Sequence, residues 1–152
     1  MEIIEDDPLL LPELVRLNEQ WISELFQLEE GDHALAADPR RILRSGGHTF
    51  SMAHEGRVVG VVALFRTDAG FELARMAVEP AFRERGIGRA LVNAALERAK
   101  RDGAPEITLM SNTKLTHAIA LYRSLGFVDV GNERPGYGRC NILMRKTLSA
   151  DA

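Results

Sequence analysis

Residues 83–92 read Arg-Glu-Arg-Gly-Ile-Gly-Arg-Ala-Leu-Val, two glycines one residue apart, set among arginines and running straight into an apolar helical pattern. The pattern continues through NAALERAKRDG, where Ile87, Leu91, Ala94 and Ala95 share a stripe and Gly103 takes the C-terminal capping position. Before it, FELARMAV reads as a strand that Pro80 ends, because proline cannot continue a central ladder. A helix that begins directly after a strand aims its unpaired amides, with the positive end of the helix dipole behind them, at the strand end. That geometry binds anions. Glycine at 86 and 88 removes the Cβ atoms that would hold a phosphate oxygen away from the backbone, and Arg83, Arg85 and Arg89 add charge-assisted donors. Two other phosphate motifs are excluded. A dinucleotide fingerprint needs a small residue where this chain has Leu91, and a Walker loop needs Gly-Lys-Ser/Thr, which is absent.

Outward from this stretch the periods are legible. Glu2 to Glu5 reads as a short strand, and Leu14, Leu17, Trp21, Leu25 and Leu28 recur at helical spacing until Gly31 breaks the helix. Asp32 to Arg44 reads as a weaker helix interrupted at Asp38-Pro39 and ended by Gly46-Gly47. From His48 the period is two: HTFSMAH, a turn at Glu55-Gly56, then RVVGVVALFRT, whose nearly continuous apolar run suits a strand covered on both faces. A turn at Asp68-Ala69-Gly70 leads into FELARMAV, the third antiparallel strand of this run. After the glycine-led helix come a strand, EITLMS, and a helix with Leu115, Ala118, Ile119 and Tyr122 on one side, capped by Asn112 or Thr113 and ended by Gly126. FVDVG and RCNILMRKTL read as a closing hairpin around Pro135-Gly136. The expected fold is α/β of the α+β kind, a mixed and mostly antiparallel sheet flanked by helices, in a single domain over residues 1–152.

Composition narrows the function. Nineteen basic against 22 acidic residues give a net charge of -3, which is no footprint for wrapping nucleic acid. The longest apolar run, Val58 to Phe65 with Gly60 counted, is too short to span a bilayer, so a membrane partner is not expected. With one cysteine, Cys140, no internal disulfide forms and no cysteine-based zinc site has its ligands. A soluble cytoplasmic protein is the expectation.

Two motifs together resemble the GNAT superfamily of acetyl-CoA-dependent N-acetyltransferases over about residues 47 to 147. The family's acyl-CoA signature, Arg or Gln, two residues, Gly, one residue, Gly or Ala, is matched by Arg83-Glu84-Arg85-Gly86-Ile87-Gly88. Its later signature is matched by Ala118-Ile119-Ala120-Leu121-Tyr122 followed by Leu125-Gly126-Phe127. The resemblance implies a sheet splayed between the fourth strand, FELARMAV, and the fifth, EITLMS, with the pantetheine arm of acetyl-CoA in the gap. The arm would pair with the backbone around Met76, Ala77 and Val78, and the pyrophosphate would sit on the loop and helix start formed by Arg83, Glu84, Arg85, Gly86, Ile87, Gly88 and Arg89. The co-substrate is thus acetyl-CoA, with no metal. One departure is Leu115, where many relatives carry asparagine.

The resemblance also implies that Tyr122 is the acid that protonates the coenzyme thiolate; a free tyrosine is protonated at neutral pH. Glu72 alternates with Ala74 and Met76 along its strand, so its carboxylate is expected to face the cleft and deprotonate the incoming ammonium. His48, His54 and His117 are alternative bases by intrinsic pKa. Backbone amides of residues 75 to 77 would meet the oxyanion. Asn112, just after EITLMS, caps the next helix or touches the coenzyme or acceptor. Cys140 alternates with Ile142 and Met144 and reads as a small buried hydrophobe, without a histidine or aspartate partner for covalent chemistry.

The acceptor is expected to be a small-molecule amine. The alternatives are a protein N-terminus or lysine, or a non-catalytic acyl-CoA-binding module. Trp21, Phe26, Glu29, Glu30 and Asp32 could line a pocket for a cationic amine, whereas Arg134, Tyr137 and Arg139 could receive a carboxylate. Both stay open, as does a homodimer.

Overall fold

The apolar run after Glu55-Gly56 forms β3 (Arg57–Thr67), whose alternation sends Val61 and Ala63 to one face of the sheet and Val62 and Leu64 to the other, all fully buried. A computed structural model describes residues 1–130 and 138–148. Around β3 lie β1 (Glu2–Glu5), β2 (His48–His54), β4 (Gly70–Val78), β5 (Glu106–Ser111), β6 (Val128–Asp129) and β7 (Ile142–Thr147), in the order β1-β2-β3-β4-β5-β7-β6. Every neighbouring pair is antiparallel except β4 and β5, which run parallel.

Helices cover both faces. On one side α1 (Leu11–Leu25) lays Leu11, Leu14 and Leu17 on Val61, Ala63 and Ala77, joined by Leu35 of α2 (Glu30–Ala37) and Ile42 of α3 (Arg41–Arg44). On the other, α4 (Ile87–Arg101) contributes Ile87, Leu91, Val92 and Ala95, and α5 (Thr116–Ser124) contributes Ile119 and Tyr122, to a larger core around Phe50, Phe71, Leu109 and Met144. This double cover explains why β3 is apolar at nearly every position.

The sheet opens in its middle. β4 pairs with β5 only from Gly70 to Leu73, opposite Glu106 to Leu109. Beyond that point β4 stays with β3 as far as Val78, while β5 stays with β7 as far as Ser111. Among the described residues, the edge of β4 from Ala74 to Val78 that would face β5 therefore has no strand partner. Where the strands part, β4 carries a bulge: the register with β3 slips between Val61 and Ala63, and Arg75 adopts φ 64°. An extra residue in one strand reverses the faces of all that follow.

This bulge corrects the expected alternation. Glu72 and Ala74 lie opposite Phe65 and Ala63 on the α1 side, whereas Met76 packs on the α4 side. Other expectations also shift. Gly31 lies in the first turn of α2 rather than ending α1, which stops at Leu25, and Asp38-Pro39 separates α2 from α3 as two helices. Neither Asn112 nor Thr113 caps α5; Leu115 stands there without a side-chain bond. Cys140 precedes β7 and is half-buried instead of alternating within the strand. Pro135-Gly136, Arg134 and Tyr137 lie outside the described residues.

The parallel pairing depends on a close backbone approach at its start. A Cβ on Gly70 would overlap the carbonyl oxygen of Glu106. Gly70→Ala is therefore expected to lower stability by about 1–3 kcal/mol, because the clash is with backbone that cannot rotate away. Urea unfolding checks this, and an unchanged midpoint would contradict it.

Candidate active site

The opening between β4 and β5 widens into a cleft of about 870 Å³, bounded by α1, the start of α4, one side of α5 and the residues leading into β7. Its lining includes Glu72, Met76, Ala77, Val78, Arg83, Glu84, Gly86, Ile87, Gly88, Arg89, Asn112 and Tyr122, so nearly all the site residues expected from sequence meet on one concave surface. Arg85 is absent from that surface: its guanidinium lies over the Phe82 ring, 5.0 Å from the centroid.

One wall is made of main chain. After Arg83 N–H donates to Pro80, the next backbone hydrogen bond is donated by Ala90, to Gly86. The amides of residues 84 to 89 thus donate none among the described residues. Glu84 (φ 63°) and Gly86 (φ 81°) are both left-handed, and a Cβ at Gly86 would meet nothing within 4 Å. Alternating hands of backbone that leave consecutive amides unbonded are a geometry able to receive an anion, here at the head of a fifteen-residue helix. The second glycine acts differently. A Cβ on Gly88 would lie 3.5 Å from Leu121 and 3.6 Å from Met76, so Gly88 lets α4 approach the side chains that floor the cleft.

The arginines of this loop are not equivalent donors. Arg83 borders the cleft but is already engaged, its Nε donating to the Val78 carbonyl at 3.1 Å and its Nη2 to Glu24 at 3.0 Å, which anchors the loop to β4 and α1. That corrects the expectation of a free phosphate donor at Arg83. Arg89 donates to the Ser124 hydroxyl at 3.1 Å, linking α4 to the end of α5, and stays exposed on the rim.

Tyr122 is buried on α5 and packs edge-on against Phe127 at 5.9 Å. Burial pushes its phenol up to about 12. Glu72 is half-buried on the α1 side; burial raises its carboxyl above the ordinary range, and the nearby Arg75 charge offsets part of the rise. Cys140 also borders the cleft, and burial pushes its thiol up. Asn112 makes a local turn by accepting from Lys114 N–H and donates to the Arg139 carbonyl at 2.6 Å. Of the histidines, His48 sits between Asp6 and Asp102 at 2.9 and 2.8 Å, and His54 packs edge-on against Phe82. Only His117 of these three borders the cleft.

At the far end, Trp21, Phe26, Glu29 and Asp32 line the wall as expected, while Glu30 is exposed outside it. Asp32 is paired with the guanidiniums of both Arg75 and Arg139. Two residues that matter here escaped sequence reasoning. Asn18, buried within α1, donates to the carbonyls of Leu14 and of Arg75, the latter at 2.9 Å, and so braces the bulge. Arg75 carries the bulge itself. The available signal for Asn18 was a polar residue beside Leu14 and Leu17 on the apolar stripe; nothing in FELARMAV marks the bulge at Arg75.

The family model of the "Acetyltransferase (GNAT) family" matches residues 14–127, three quarters of the chain. The chain belongs to the GNAT family. Among curated relatives, an N-alpha-acetyltransferase RimI of Mycobacterium tuberculosis is 33% identical over 88% of this chain and 87% of its own length. N-acetyltransferase family 8 member 3 of Rattus norvegicus is 31% identical over 80% of this chain, which spans only 59% of that protein. A GNAT acetyltransferase of Staphylococcus aureus shares the fold with a TM-score of 0.85 at 22% identity, covering 97% of this chain and 99% of its own. An aminoglycoside 6'-N-acetyltransferase complexed with coenzyme A does so with a TM-score of 0.76 at 20% identity, each chain covered to 97%. The GNAT fold thus comprises the seven-stranded, mostly antiparallel sheet open between β4 and β5. Among the described residues no helix is long and apolar enough to cross a membrane.

Proposed function

We propose that this GNAT chain moves an acetyl group from acetyl-CoA to the primary amine of a small molecule, by direct attack within a ternary complex. The observation that carries the reading is the unpartnered edge of β4 beside the unbonded amides of residues 84 to 89, a strand-sized slot ending at an anion cradle. Acetyl-CoA, when bound, supplies a thioester carbonyl and a thiolate leaving group. The backbone of Met76, Ala77 and Val78 holds the extended arm by strand-like pairing, and the amides from Glu84 to Arg89 receive the diphosphate. Amides at the Arg75 bulge meet the charge that develops on the acyl oxygen. Tyr122 donates a proton to the departing sulfur, and Glu72 accepts one from the ammonium of the acceptor, directly or through water. A thiol at Cys140 whose ionisation is suppressed by burial is a poor nucleophile, which supports direct transfer over an acyl-cysteine.

The small-molecule acceptor is supported by the ion pairs of Asp32, which join α2 to β4 and to the residues before β7 across the far end of the cleft. A peptide N-terminus is the second reading, favoured by the 33% identity to an N-alpha-acetyltransferase. Calorimetric titration with acetyl-CoA, followed by thiol release with panels of amines and of peptides, tests both. Turnover of small amines is expected; peptide-only turnover would select the second reading, and no binding heat at about millimolar coenzyme would overturn the proposal.

Glu72 gives the reaction a pH signature. The base acts when deprotonated, and burial raises its pKa above the ordinary 4.5, so kcat/KM falls as pH drops through that raised value. Glu72→Gln is expected to cut kcat/KM by about 100-fold at neutral pH and to erase this acidic limb. A pH-rate profile that keeps its limb in the variant assigns the base elsewhere.

A further inference from the structure

The two opposite expectations for the acceptor end, a carboxylate cluster for a cation and an arginine cluster for an anion, prove to be each other's partners. Asp32 is 3% exposed, yet its carboxylate is fully provided for. Arg139 grips it with two parallel bonds, Nη1 to Oδ2 at 3.0 Å and Nη2 to Oδ1 at 2.8 Å. Arg75 Nη1 donates to Oδ1, and the Glu29 amide donates to Oδ2 at 2.7 Å as half of the capping box that starts α2. A carboxylate offers about four lone-pair sites, and all are filled. Burial works to raise its pKa, but the bonds from Arg139, Arg75 and the Glu29 backbone prevail and hold it well below the carboxylate range.

The same atoms describe a receptor. Two guanidiniums, one of them in bidentate geometry, with a helix-start amide at the side, are what a protein builds to bind a substrate carboxylate. All three side chains line the cleft, and they lie near Glu72, whose carboxylate titrates under the influence of Arg75. Beside them the wall is apolar: Trp21 and Phe26 in tilted contact at 6.1 Å, and Phe65 opposite Glu72 in the sheet register.

We infer that Asp32 is a specificity-determining residue: it stands where an acceptor's carboxylate would bind, occupies Arg75 and Arg139, and so restricts the enzyme to apolar-bodied primary amines without a carboxylate beside the nitrogen. A competing carboxylate has to displace an intramolecular one that is already ordered and desolvated; without that displacement its own dehydration is left uncompensated, and with it Asp32 is left buried and unpaired. Such an amine instead presents its cation to Glu72 and its body to the aromatic wall. The inference rests on the proposed acetyl transfer and names its acceptor class.

The test compares kcat/KM for 2-phenylethylamine, phenylalanine and the diamine m-xylylenediamine in the wild type, Asp32→Asn and Arg139→Gln, with acetyl-CoA binding measured separately in each. The wild type is expected to prefer phenylethylamine over phenylalanine by at least about 100-fold, the scale on which unpaired buried polar groups discriminate. Asp32→Asn removes the charge that both guanidiniums share, leaving Arg75 without its carboxylate and Arg139 with only the Glu29 carboxylate at 3.4 Å, and should move that ratio toward phenylalanine by about 10-fold or more. Arg139→Gln, which leaves Asp32 underneutralised, should move selectivity the other way, toward the diamine. Opposite shifts in two variants are not produced by simple loss of folded protein, which lowers all three rates together. Equal use of phenylethylamine and phenylalanine by the wild type, parallel losses in both variants, or bound coenzyme with no turnover of any of the three amines would each overturn the inference alone. Failure of the wild type to bind acetyl-CoA would overturn the proposed function and this inference with it.

Discussion

Tyr122→Phe is expected to lower kcat by about 100-fold or more while leaving acetyl-CoA affinity within about twofold of the wild type. The ring itself stays in place: its edge-on packing on Phe127 and its position in the α4–α5 core do not involve the hydroxyl. The variant thus removes one proton donor and little else. Because burial pushes the phenol up to about 12, the wild-type group keeps its proton across the usual assay range, and the deficit should be the same at every pH between about 6 and 9. The deficit should also shrink with an acetyl donor whose leaving group is a weaker base than a thiolate, since that group departs without help. Steady-state thiol release checks the first point and a donor series the second. An unchanged kcat would remove Tyr122 from the chemistry.

The second large effect is expected at the cradle. Gly86→Val should weaken acetyl-CoA binding by about 100-fold, which is the loss of about two charge-assisted hydrogen bonds at roughly 1.4 kcal/mol per factor of ten. Valine is strongly disfavoured at φ 81°, so the loop must turn its amides out of the concavity. The folded protein should survive the change, because nothing lies within 4 Å of the new Cβ and the first helical bond, Ala90 to Gly86, needs only the carbonyl. Calorimetry with acetyl-CoA, set beside thermal unfolding, separates the two effects. Wild-type affinity in a folded variant would contradict the cradle. The contrast with Gly88 is instructive: alanine there meets Met76 and Leu121 at ordinary contact distance and should be tolerated, while a branched side chain would press on the cleft floor.

Much of this molecule was legible in its residues. The two faces of β3 follow from RVVGVVALFRT, and the strand-to-helix junction at Gly86 follows from RERGIGRALV preceded by Pro80. The later motif put Tyr122 on a helix that packs beside α4. These are local patterns, set by periodicity and by the conformations that glycine and proline allow.

What failed to show was everything that depends on one element meeting another. The bulge at Arg75 has no signature in FELARMAV; it exists because Asn18 of α1 takes the Arg75 carbonyl and Asp32 of α2 takes its guanidinium. That single inserted step put Glu72 and Met76 on opposite faces, against the alternation read from sequence. Likewise the charges of Asp32 and Arg139, 107 residues apart, could be counted but not paired. By itself, then, the sequence determined the element types, the double cover of the sheet and the glycine-led helix start after β4, because each rests on short-range stereochemistry. The tertiary structure alone decided which face each catalytic candidate presents and which charges remain free to meet a substrate, because register and ion pairing depend on distances that only the packed chain defines.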